Sequence, residues 1–477
     1  MLFNSFEFFA FFSAFLLVYF SLPVRFQPFI MIIGSYLFYM GWRPSFALLL
    51  ALTTVVDYTT GLMMANARTE AGRKAAMLTA LTINLGVLGT VKYLDFMISN
   101  VIGLSGLLGH HLPDYALGII LPVGISFYTF QSIGYTLDVY HRRIEAERNF
   151  IVYAQYVAFF PQLVAGPIER APHMLPQLHQ PKTFQFENVS PGLWLIGYGL
   201  FKKMCVADSL APIVNGIFAS PQSYSGTYNL IACAAFTVQL YCDFSGYSDI
   251  ARGVARIMGF DLMINFRQPF YSSSLGELWR RWNISLTSWL RDYLYVPLGG
   301  SREGEMKTVR NIMIVWLVSG LWHGAAWTFI IWGLFYGFWL VVERLVQKNL
   351  QPEKRLGAGV SLLLGGIWAN VVFAIGMIFF RAQTVENAFV MLRSFGDLGP
   401  LSYGTFKVLG VPSFELAMLC VSLCILFTVD YHIAFKSERP ARISSMPRLR
   451  TVAGVGLCYY LLLFGVMGRT EFIYFQF

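Results

Sequence analysis

Apolar runs long enough, or nearly long enough, to span a bilayer recur along the whole chain. They cover residues 8–22, 29–42, 46–64, 77–98 and 116–139, and later 360–380, 414–431 and 452–467. About 20 apolar residues at ~1.5 Å per residue cover the ~30 Å hydrocarbon layer, so each run reads as a membrane helix. Between residues 192 and 258 the pattern is broken. Lys202-Lys203 interrupts one apolar run, and Asp208, Asp243 and Asp249 punctuate the rest. The expected fold is an all-α polytopic membrane protein of about eleven transmembrane helices, with re-entrant or interfacial helices around a central funnel or tunnel. One integral membrane domain is expected over residues 1–477, without a soluble domain, a long-period repeat or a low-complexity tail.

Composition agrees with this reading. The 477 residues are 56% hydrophobic and 13% charged, where a soluble domain carries roughly 25% charge. The net charge of +9 does not point to nucleic acid, because the basic residues cluster in short loops between apolar runs. Arg68, Arg73 and Lys74 mark one such loop and Arg142, Arg143 and Arg148 another, while residues 100–115 between them hold no Lys or Arg. The two basic loops are expected in the cytoplasm, which puts the N-terminus outside. A later basic loop, Lys436 to Arg450, followed by one more span, sends the C-terminus outward too. The first apolar run lacks a basic leader and a small-residue cleavage site, so it is expected to be retained. None of the six cysteines forms a CxxC pair, and neither a metal site nor a disulfide framework is expected.

One histidine stands out. His323 lies in Trp322-His323-Gly324-Ala325-Ala326-Trp327, inside a stretch from 312 to 342 without Lys, Arg, Asp or Glu. An ionisable group at membrane depth is costly, which makes a functional role the default. Arg302, Lys307 and Arg310 precede the stretch; Arg344, Lys348, Lys354 and Arg355 follow it. With both flanks cytoplasmic, the stretch is a hairpin. Arms of about 15 residues reach roughly 22–24 Å, so the turn falls near His323-Gly324, inside the membrane. The rival is one long tilted span with the flanks on opposite sides. A neutral imidazole held there has the form a general base requires.

A second block runs Arg280-Arg281-Trp282-Asn283-Ile284-Ser285-Leu286 and on through Trp289 and Arg291. Residues 275–294 read as a single amphipathic helix. Leu278, Trp282, Leu286, Trp289 and Tyr293 form its apolar stripe, and Glu277 can pair with Arg281 four residues on. Asn283 stands at the border of the stripe, where an inward amide offers both a donor and an acceptor. An interfacial anchoring helix with snorkelling arginines is the plainer alternative.

Taken together, several motifs resemble the membrane-bound O-acyltransferase family, in its bacterial alginate O-acetylase-like branch. They are the 270–300 block, Trp322-His323-Gly324, Leu121-Pro122-Val123-Gly124-Ile125-Ser126-Phe127-Tyr128-Thr129-Phe130 and Tyr241-Cys242-Asp243-Phe244-Ser245-Gly246-Tyr247-Ser248-Asp249. Phe159-Phe160-Pro161-Gln162-Leu163-Val164-Ala165-Gly166-Pro167-Ile168 and the terminal Phe472-Ile473-Tyr474-Phe475-Gln476-Phe477 fit as well, in the family's order over nearly the whole chain. The family's characteristic histidine maps onto His323. Its second position, histidine in some bacterial members, maps onto Asn283, so that position does not single out alginate as acceptor.

The resemblance implies an O-acyltransferase, with His323 as general base and Asn283 positioning the acceptor or the acyl carbonyl. No permanently bound cofactor is expected. The acyl donor is expected to be a cytosolic thioester, acetyl-CoA, with Arg280, Arg281, Arg291 and Lys307 as candidate phosphate contacts. Basic residues on that side also have a purely topological reading. The expected partners are the donor, the lipid bilayer and an extracytoplasmic polysaccharide-acetylating protein, in a bacterial inner membrane. Asp138, Glu169, Asp243 and Asp249 are expected to hold structure. Peptidoglycan, cellulose, teichoic acid or lipid could be the acceptor instead. A transporter with His323 as proton relay is a different class, but paired interrupted helices and repeats are not evident. Neither a GxSxG elbow nor a His followed by Asp five residues later occurs.

Overall fold

The computed structural model describes residues 1–113, 115–164, 166–353, 357–435, 447–466, 468 and 472–473. The expected sites at Lys354, Arg355, Lys436, Arg439 and Arg442 and the last four residues lie outside these. Among the described residues every regular element is helical. Five helices are long and apolar enough to cross a membrane: Pro44–Asn66, Glu70–Leu107, Trp327–Leu350, Gly359–Arg381 and Ser413–Phe435. Phe6–Ser21 and Thr451–Phe464 are apolar but shorter. The expectation of eleven crossings goes beyond these. The chain is a multi-pass membrane protein.

Two compact units can be distinguished. The first comprises Met1–Gly192 and Ala251–Met263. Its charge pattern is reflected in its contacts. Arg142 pairs with Glu70 at 2.6 Å, and buried Arg73 donates to the carbonyls of Val139 and Tyr140 at 2.7 and 2.6 Å. The two basic loops therefore meet at one end of this unit, as their shared charge requires. Asp138 pairs with Arg143, and buried Glu169 accepts from the Met263 amide and faces His173 at 2.8 Å. Both carboxylates hold structure. The expected 116–139 helix is shorter than the apolar run. It begins at Ile125, after Pro122 and a left-handed Gly124 (φ 77°) whose added Cβ would meet the Leu163 carbonyl. Before it, the amides of Leu117 and Gly118 donate to Asp95 at 2.8 and 3.1 Å, so this backbone bonds to a carboxylate instead of to a helix.

The second unit comprises Leu193–Ile250 and Ile264–Phe477. The interrupted region is now accounted for by ion pairs. Lys203 lies 2.8 Å from Asp208 and 2.7 Å from Asp243, and Lys202 lies 2.5 Å from Asp249. Asp243 also accepts from the Ile473 amide at 2.7 Å, tying the chain's end to the unit. Lys203, Asp208 and Asp243 are buried, and buried charges persist only when paired in this way.

The charge-free stretch folds as a hairpin. Glu305–His323 and Trp327–Leu350 pack side by side with Gly324 to Ala326 between them. Glu305 begins the first arm and binds Arg344 at 2.6 Å and Lys348 at 3.0 Å near the end of the second. Both flanks therefore lie at one end, which removes the single-span alternative. The helices extend into the basic flanks, making arms of 19 and 24 residues. Gly320 and Gly333 let the backbones approach: a Cβ on either would run into a carbonyl of the opposite arm.

Candidate active site

The expected 275–294 helix is in fact broken where its chemistry lies. Leu275–Arg281 ends at Trp282, which is extended (φ −105°, ψ 128°). Asn283 is left-handed (φ 43°, ψ 56°), and a new helix runs Ile284–Leu290. Asparagine is among the few residues that tolerate this conformation. Trp282 and Asn283 are held by neighbours outside the block: Arg267 N–H donates to Arg281 O and Ile284 N–H to Asn265 O, both at 2.9 Å. The apolar stripe survives the break, since Leu278, Trp282, Leu286 and Trp289 are all buried.

Helix Leu275–Arg281 is fixed at its start. Ser274 Oγ accepts from Glu277 N–H at 3.1 Å, while Glu277 accepts from Ser273 N–H at 2.8 Å, close to a capping box. Glu343, from the second hairpin arm, accepts from Leu275 N–H at 2.6 Å and Gly276 N–H at 2.9 Å. This carboxylate meets the positive end of the helix. The hairpin thus positions both blocks.

His323 is the last residue of its helix. Gly324 follows in extended conformation, and a Cβ there would strike the Phe329 ring. The imidazole is buried against Trp322 and Trp332, ring centres 4.8 Å away in each case, and Phe380 at 5.2 Å. Trp279 stands 4.6 Å from Trp316 and 5.7 Å from Trp332, edge to face. Such packing restricts the rings to few rotamers.

A cavity of about 380 Å³ brings the two blocks together, with His323 and Asn283 both in its wall. The Asn283 side chain is 2% exposed, yet neither Oδ1 nor Nδ2 has a hydrogen-bond partner. A buried amide left without partners is destabilising and marks a place where a ligand can supply them. Of the four candidate cations, Arg280 and Arg291 line this cavity and are exposed. Arg281 and Lys307 do not; they bind Glu277 and Glu303, at 2.6 and 2.7 Å. Arg291 also touches Asp292 at 2.8 Å. A larger cavity of about 760 Å³, with Glu343, Ser361 and Trp368 in its wall, contains neither His323 nor Asn283. Size therefore does not select the chemistry.

Ser319, one helical turn before His323, and Trp279 and Trp316 also line the smaller cavity. Sequence reasoning passed over them. The four-residue spacing of Ser319 and His323 was the available signal. All six cysteines are free, and the described residues hold no cluster of metal-ligating side chains.

The family model for MBOAT, the membrane-bound O-acyltransferase family, matches residues 143–382, which include Asn283 and His323. The chain is 38% identical to the probable alginate O-acetylase AlgI of Azotobacter vinelandii, over 89% of this chain and 84% of that one. It is 34% identical to the protein of the same description from Pseudomonas putida over the full length of both. It is 32% identical to the peptidoglycan O-acetyltransferase of Helicobacter pylori, over 78% of this chain and 74% of that protein. A buried histidine and an open asparagine amide sharing one cavity, and matches of this extent, lead to one conclusion: the chain belongs to the membrane-bound O-acyltransferase family and is an O-acyltransferase.

Proposed function

We propose that this protein moves an acetyl group from cytosolic acetyl-CoA across the membrane towards hydroxyls of an exported polysaccharide, through an extracytoplasmic partner protein. The observation that carries the reading is the shared cavity of His323 and Asn283. The acceptor oxygen attacks the thioester carbonyl and its proton passes to His323. The carbon–sulfur bond then breaks, and the thiolate leaves with a proton returned by the imidazolium. A positioned base of this kind supplies about 10²–10⁴-fold. The free Asn283 amide donates to the carbonyl oxygen as charge develops on it. Arg280 and Arg291, at the cavity wall, meet the donor's phosphates.

Acetyl, rather than a longer acyl group, is supported by the relatives described as O-acetylases and O-acetyltransferases. An exported polymer is supported by the same descriptions. The protein then sits in the inner membrane with both termini outward. Purified protein given labelled acetyl-CoA and a hydroxyl acceptor tests the reading. Wild type transfers label, and His323→Ala, folded and inserted, does not; equal transfer by both rejects it.

A further inference from the structure

Asparagine is one of the preferred residues at a helix N-cap, because its side-chain oxygen can accept the second or third amide of the helix. Asn283 occupies that position before Ile284–Leu290 but makes no such bond. Its left-handed backbone departs from the extended conformation usual for a capping residue. The capping bond nevertheless exists and comes from elsewhere. Asn265 Oδ1 accepts the Ser285 N–H at 3.1 Å, and the Asn265 backbone carbonyl accepts the Ile284 N–H at 2.9 Å. Asn265 is itself buried, and its Nδ2 donates to Ser248 Oγ at 3.4 Å, on helix Gly226–Ile257.

We propose that Asn265 is a positioning residue for acyl transfer. It caps the helix after Asn283 from outside, and so leaves the Asn283 amide open to the substrate. Two observations converge on this. The first two amides of the helix are satisfied by Asn265, and the Asn283 side chain, 2% exposed, keeps both polar atoms unbonded in the wall of the His323 cavity. Without the Asn265 side chain, Ser285 N–H loses that acceptor, and the side chain that ordinarily supplies one at this position is that of the N-cap residue, here Asn283. Asn283 would then turn towards its own helix and away from the cavity.

The inference rests on the acyltransfer reading above. It is tested with full-length protein in detergent, using labelled acetyl-CoA and a hydroxyl acceptor. Asn265→Ala is expected to lower kcat 10- to 100-fold while changing the donor KM less than threefold. Asn265→Asp keeps the acceptor for Ser285 N–H and is expected to restore kcat to within about fivefold of wild type. A merely structural role would lower the amount of folded protein and leave turnover per folded molecule unchanged. Wild-type kcat in folded Asn265→Ala overturns the proposal, and so does a folded Asp variant as slow as the Ala variant. Should the Ala variant fail to insert, the Asp variant is read against wild type: a folded Asn265→Asp protein within about fivefold of wild-type kcat supports the proposal, and one more than about tenfold slower overturns it. His323→Ala, run in parallel, separates the two failures. If it is inactive while Asn265→Ala is normal, only the positioning role falls; if it is active, both fall.

Discussion

Replacing Asn283 by glycine and by alanine should separate its conformational role from its chemical one. The residue sits at φ 43°, where a Cβ normally costs energy. A non-glycine residue in the left-handed region is disfavoured by roughly 1–2 kcal/mol, with asparagine penalised less. Alanine suffers this strain in full and glycine does not. Both remove a buried amide with two unbonded polar atoms. Leaving such a group unsatisfied costs about 1–3 kcal/mol, less whatever water in the cavity returns. Asn283→Gly is therefore expected to be as stable as wild type or more stable by up to ~1 kcal/mol. Asn283→Ala should be less stable than the glycine variant by about 1 kcal/mol or more. Both should lose about 10²–10³ in kcat, the usual loss on removing one donor to a developing oxyanion. Thermal melting in detergent, followed by tryptophan fluorescence, reads the first quantity, and single-turnover transfer from labelled donor reads the second. Equal melting of the Gly and Ala variants would refute the backbone argument. Wild-type turnover in the Gly variant would refute the chemical one.

Other outcomes follow from the same contacts. Arg280→Ala and Arg291→Ala should raise the KM for acetyl-CoA several-fold, more so at low salt, while Arg281→Ala and Lys307→Ala should not, because those two bind Glu277 and Glu303 instead. Lys203→Met leaves Asp208 and Asp243 buried without their cation and should cost about 3–5 kcal/mol, read as loss of detergent-stable protein; normal stability would contradict the pairing. Glu305, at the aqueous end of the hairpin, has its carboxyl pulled down to about 2 by hydrogen bonds from Arg344 and Lys348. A depressed carboxyl contributes stability above its unfolded value of about 4.5 and loses it as pH falls towards 2, so closure of the hairpin's open end should weaken across that window. Paired spin labels on the two flanks would follow it, and Glu305→Gln should abolish the pH dependence.

The hairpin was legible in the sequence because its signals are local. A run without charge, basic flanks on both sides and a glycine after the histidine leave few alternatives. The grouping of His323 with Asn283 came instead from the family resemblance, since 40 residues separate them. The break at Trp282-Asn283 was not legible. Apolar residues keep helical spacing on both sides of it, and the residue that accepts the amides just after the break, Asn265, lies 20 residues before Ser285 in sequence. The same holds for Lys202 and Lys203. Their disruption of an apolar run was visible, but the partners that make them tolerable, Asp249, Asp208 and Asp243, become neighbours only after folding. The apolar run before Ile125 misled for a related reason. Hydrophobic residues there form no regular element, their amides held by Asp95, and composition alone does not distinguish that from helix.

The most direct measurement is transfer of label from acetyl-CoA by purified full-length protein, wild type beside His323→Ala, with insertion of both verified by melting and by gel filtration. In the folded variant kcat should fall at least about 10²-fold. A His323→Ala protein that transfers acetyl at the wild-type rate would contradict it.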